Sequence, residues 1–82
     1  MTAQLYTGGK WGELSPVVAV KALNRGENIE VRASKEARIF SITPVPGGFS
    51  IRDSAEAEAA EKRSPTAAIN TALQLSRDGV AL

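Results

Sequence analysis

Four groups of residues in this chain have the types and spacing from which chemistry is built. Thr7-Gly8-Gly9-Lys10 sets glycine amides beside a lysine, the makings of an anion-binding loop. The nucleotide-phosphate pattern needs wider glycine spacing and a Ser or Thr directly after the lysine; Trp11 follows here, so the segment reads as a plain turn. No serine has a lysine three residues downstream, and a chain without histidine has no Ser-His pair. Ser15, Ser34, Ser54 and Ser64 sit where caps and turns need them. Glu56, Glu58 and Glu61 crowd carboxylates together but lack the alternating oxygen ligands and the glycine of a calcium loop. They read as an acidic face, an alternative contact for a basic partner. The fourth group, Arg32, Lys35, Ile39 and Arg52, surrounds an isoleucine with cations and supplies the candidate partner-binding residues, because arginine is enriched at interfaces.

The absences are as informative. With no cysteine and no histidine, disulfides and the usual zinc, copper and haem-iron sites cannot be built. The usual general base at neutral pH is missing too. The expectation is a protein without cofactor or metal that is not an enzyme. A formal net charge of +1 draws the chain toward neither nucleic acid nor anionic lipid. Residues 21 to 52 nevertheless hold six basic and three acidic side chains, an excess that the total hides. No apolar run approaches about 18 residues, and Met1 to Tyr6 lacks a basic stretch leading into an apolar core. No membrane association and a cytoplasmic location are expected.

At 82 residues, 43% apolar and 23% charged, the chain is expected to form one small α+β domain. Its centre is a three-stranded antiparallel meander over about 28–53. Ile29, Val31, Phe40, Ile42, Phe49 and Ile51 recur with period two and face one way. Pairing Val31 with Phe40 and Ile29 with Ile42 leaves Ser34 to Ala37 as a turn. Pairing Ile42 with Phe49 and Phe40 with Ile51 leaves Pro44 to Gly47 as a second turn and sets Arg38 opposite Asp53. The outward face then carries Glu30, Arg32, Ile39, Ser41, Ser50 and Arg52. If a helix covers that face, Ile39 is core; if none does, it is a contact centre. Aromatic platforms are missing from it, which argues against base stacking.

Ser15-Pro16 and Ser64-Pro65 each read as an N-cap followed by proline in the first helical turn. They predict helices over about 16–25, apolar on most sides and largely buried, and about 65–77, ended by Gly79. Ala68, Ile69, Ala72, Leu73 and Leu75 form the inner face of the second. The segment 54–63 is a helix or an extra strand; Asp53 with Glu56 resembles a capping box, and the alanines favour helix. Thr2 to Thr7 could be a short edge strand, Gly8 to Gly12 a turn-rich connection, and Trp11 a lid on a core short of large side chains.

A helix, three strands and a helix over residues 15 to 77 is similar in element order to the double-stranded RNA-binding domain. The alternative expectation is direct nucleic-acid binding through the basic residues Arg25, Arg32, Lys35, Arg38 and Arg52. The lysine cluster that opens the family's last helix is replaced by Ser64-Pro65-Thr66-Ala67-Ala68, preceded only by Lys62 and Arg63. The favoured expectation is therefore a small binding module acting by contact with a protein, including a protein of a nucleic-acid-binding complex. Its size and style match accessory inhibitors of phages and mobile elements, anti-CRISPR proteins included. A homodimer would add burial that a core this small lacks.

Overall fold

The computed structural model describes residues 3–53 and 58–78. Six strands and two helices follow one another as β1 (Gln4–Thr7), β2 (Lys10–Glu13), α1 (Pro16–Asn24), β3 (Ile29–Arg32), β4 (Phe40–Val45), β5 (Gly48–Asp53), β6 (Glu58–Lys62) and α2 (Pro65–Asp78). The fold class is α+β, but the three expected strands belong to a six-stranded antiparallel sheet in the order β2-β1-β3-β4-β5-β6. Two strands precede α1 and a fourth follows the meander, so the element order departs from that of the double-stranded RNA-binding domain.

The additions have local causes. Gly8 and Gly9 adopt φ of 64° and 87°, the left-handed pair that a two-residue hairpin turn demands. Thr7 therefore meets Lys10, and the residues beyond Lys10 pair as β2 instead of forming a loop. In Glu58–Lys62 pairing with the open edge of β5 outweighs the helix propensity of the alanines. Glu58 and Lys62, which a helix would set one turn apart, are the two ends of one strand. Ser54 to Ala57, with Glu56, lie outside the described residues, as does Gly79.

The central register is the expected one, Ile29 opposite Ile42 and Val31 opposite Phe40. The next is shifted by two residues: Ile42 meets Ile51, Pro44 meets Phe49 and Phe40 meets Asp53. The turn shrinks to Pro46-Gly47, with Gly47 at φ 85°, the order of residues a type II turn takes. A shift of two keeps every side chain on its own face, so the inner set survives. Pro44 lies in β4 and not in the loop. β3 pairs only as far as Ile42, leaving a neighbour on one side of Pro44, the edge-like setting proline tolerates. Arg38 still reaches Asp53, at 3.8 Å.

Ile29, Val31, Phe40, Ile42 and Ile51 are buried together with Leu5 of β1, Ala19, Ala22 and Leu23 of α1, and Ala68, Ile69 and Ala72 of α2. Phe49, Leu73 and Leu75 pack at the margin of this core. Ser15 caps α1, its Oγ accepting from the Val18 amide at 3.4 Å, and Ser64 caps α2, accepting from Ala67 at 3.2 Å. The far end of α1 closes on Gly26 at φ 86°, with Gly26 donating to Leu23 and Glu27 to Ala22 at 3.0 Å, a Schellman motif. α1 is not largely buried: Val17 and Val18 are 63% and 44% exposed, because a helix lying on a sheet buries only one stripe.

One polar residue of α2 organises the connection from β3 to β4. Ser76 is 2% exposed; its hydroxyl donates to the Arg38 carbonyl at 2.6 Å and accepts from the Ala33 amide at 2.8 Å. Both ends of the connection are thereby tied to the helix. Replacing Ser76 with Ala strands a backbone donor and an acceptor in a part-buried site. Ser76→Ala is expected to lower unfolding free energy by about 1–3 kcal/mol in urea denaturation.

Candidate interaction face

Both helices pack on the same side of the sheet, α1 against β3, β4 and α2, and α2 against β3 to β6. No described helix or strand covers the other side. Because strand side chains alternate, that outer face receives every residue between the core positions. One row runs straight across it: Trp11 on β2, Tyr6 on β1, Glu30 on β3, Ser41 on β4, Arg52 on β5 and Glu58 on β6. A concavity of about 430 Å³ lies over its middle, lined by Tyr6, Glu30, Ser41, Thr43, Val45 and Arg52.

The extra hairpin changes the chemistry of this face. Trp11 is not a lid on the core; its partner across the ladder is Tyr6, an outward position. The two rings lie 5.3 Å apart at 58°, a tilted aromatic pair. Arg32 lies with its guanidinium carbon 3.9 Å from the Trp11 ring centre, and its Nε donates to Gln4 Oε1 at 2.7 Å. Gln4 is the strand partner of Arg32, so the sheet register itself aims the guanidinium. Cation–π contact and hydrogen bond together hold Arg32 over the indole. The expected lack of aromatics on the outer face is thus corrected, and the cause is β2, which a turn-rich reading of residues 8–12 leaves out.

The sequence-selected residues do not all converge. Arg32 and Arg52 share the face but stand on β3 and β5, with β4 between them. Ile39 is half-buried just before β4, since the ladder from β3 stops at Val31–Phe40. Lys35 is exposed in the connection after β3 and is not a sheet residue. Arg25 caps α1 and pairs with Glu27 at 2.7 Å, and Arg38 pairs with Asp53, so neither joins the face. Glu58 and Glu61 do belong to it, on β6 opposite Arg52 and Ser50. Glu58 accepts from the Ser50 hydroxyl at 2.9 Å, which accounts for a serine 1% exposed on the outer side. Tyr6, Trp11 and Gln4 are the residues sequence reasoning missed. The signal was available in Gly8-Gly9, flanked by two short alternating segments.

Among the described residues no group of three or more acidic side chains is placed to hold a metal ion, and no helix is long and apolar enough to cross a membrane. Trp11 is the chain's single tryptophan, so its fluorescence reports on the cluster alone. Arg32→Ala is expected to red-shift that emission as water replaces the guanidinium, with a stability loss of about 0.5–1.5 kcal/mol. An unchanged spectrum would mean that Arg32 does not cover the ring in solution.

Comparison of the chain with family models, curated proteins and solved structures gives no match, so the functional reading rests on the chemistry of this face.

Proposed function

We propose that this protein is a small non-enzymatic binding module that acts by protein–protein contact through the outer face of its sheet. The observation that carries the reading is the Trp11–Arg32–Tyr6 cluster standing on a face that no described element covers. Trp, Tyr and Arg dominate the energetics of protein interfaces, because each combines a large contact area with a directed polar group. Arg32 is already held in place, so little side-chain entropy is lost when a partner closes over it. The action that follows is steric: the face occupies a functional surface of its partner. An accessory inhibitor, the class suggested by the chain's size, would work in this way.

Nucleic acid is the second reading, and Tyr6 and Trp11 favour it as stacking platforms. The charge of the face opposes it. Among the described residues of the sheet, Glu13, Glu30, Glu58 and Glu61 occupy outward positions against Arg32 and Arg52, and Arg32 is engaged. A phosphate backbone would meet more carboxylates than guanidinium groups.

Two measurements separate the readings. Immobilised wild-type protein should capture a discrete partner, and Trp11→Ala should reduce that capture by roughly thirty-fold, the effect of losing a hot spot of about 2 kcal/mol. Val17→Ser, on exposed α1 away from the sheet face, should leave capture unchanged. Equal capture by all three proteins would remove the outer face from the function. Retardation of single- or double-stranded nucleic acid should be absent at low salt; a shift that fades steeply with added salt would favour the second reading.

A further inference from the structure

In the row across the outer face, the two strands that flank β4 carry charges of opposite sign. Ser41 stands on β4; Glu30 lies one strand to one side and Arg52 one strand to the other. With strands about 4.8 Å apart, the two backbones are separated by about 10 Å. Neither side chain has an ion-pair partner among the described residues. A carboxylate and a guanidinium left unpaired at mirrored distances from one serine form a self-complementary surface.

We infer that a second copy of this chain docks on the outer face, sheet against sheet, about a two-fold axis that runs parallel to β4 over Ser41. That axis exchanges left and right across the row. Glu30 of each copy then faces Arg52 of the other, giving two equivalent ion pairs around a serine–serine contact, an isologous interface. Two strands from the axis, Tyr6 faces Glu58, a phenol donor against a carboxylate acceptor. The concavity of about 430 Å³ over Glu30 and Ser41 receives the incoming Arg52 side chain. Any other partner would have to reproduce the spacing of these charges independently, whereas a second copy carries it by construction.

The arrangement also leaves part of the face free. Three strands, β3, β1 and β2, lie on one side of β4, and only β5 and β6 on the other. Trp11 on β2 therefore has no facing strand in the second copy and remains at the rim. The dimer would present two such corners. It goes beyond the partner-binding reading, and a dimer closed over Tyr6 would leave Trp11 as the part of the cluster open to another protein.

Sedimentation equilibrium at low and high salt tests the proposal. The wild type should be a dimer that weakens as salt rises, because salt screens the attraction between the solvated Glu30 and Arg52 charges of the separated copies. Glu30→Arg alone and Arg52→Glu alone should each weaken dimerisation at least tenfold, since each sets like charges face to face. An equimolar mixture of these two variants should form a heterodimer, because all four facing charges are then opposite in sign. Trp11→Ala should dimerise like the wild type. If a charge reversal disturbs folding by circular dichroism, Glu30→Gln and Arg52→Gln replace the reversals, each still expected to weaken the dimer. A monomeric wild type at low salt, or single reversals that stay dimeric, would overturn the inference. Loss of partner capture by Trp11→Ala in a monomeric protein would overturn the dimer and leave the partner-binding reading standing.

Discussion

One-sided burial places everything else in this molecule. Leu5, Ile29, Val31, Phe40, Ile42 and Ile51 lie beneath Ala19, Leu23, Ala68, Ile69 and Ala72, and strand alternation sends their neighbours to the opposite face. Burial of those apolar side chains is the main favourable term available to so small a chain. A strand that slipped by one residue would expose its whole inner set, so the outer face is as firmly determined as the core. Gln4, Tyr6, Glu30, Arg32, Ser41 and Arg52 need no interaction of their own to be brought together.

Local devices then refine that arrangement. The glycine pair of the first hairpin turns the chain tightly enough to add β2, and β2 delivers Trp11 to Arg32. At the other end of the sheet, Gly48 allows β5 and β6 to approach closely; a Cβ there would stand 2.5 Å from the Lys62 carbonyl oxygen. Ser76 ties down the long connection between β3 and β4, so the two strands that carry Glu30 and Ser41 keep a common support. The two exposed edges are short, and β6 carries Glu58, Glu61 and Lys62, charges that discourage edge-to-edge pairing. The edges are thereby guarded against the addition of a further strand.

Legibility followed the strength of the local signal. The pairing of Ile29 with Ile42 and Val31 with Phe40 could be read because the β3–β4 region alternates cleanly and one face must be apolar. Both helix starts could be read because Ser-Pro combines a cap with a residue that needs no amide donor. The β4–β5 register could not, since a shift of two residues preserves the faces and only the turn distinguishes the alternatives. β6 could not either: alanine and glutamate favour helix in isolation, and only an open neighbouring edge selects the strand. The arginines of the outer face were visible one by one, but their surroundings were not.

The amino-acid sequence by itself determined the α+β class, the inner face of three strands, the capped helix starts and the lack of histidine and cysteine chemistry. These depend on residue type and on spacings of two to four, which the chain carries within each segment. The tertiary structure alone decided that the sheet has six strands, that both helices share one side, and that Trp11, Tyr6 and Arg32 meet on the other. Those outcomes depend on which distant segments pair: β1 lies beside β3 although β2 and α1 separate them in the chain. A sequence pattern specifies which face of a strand is apolar, and the neighbours of that strand follow only when the whole core closes.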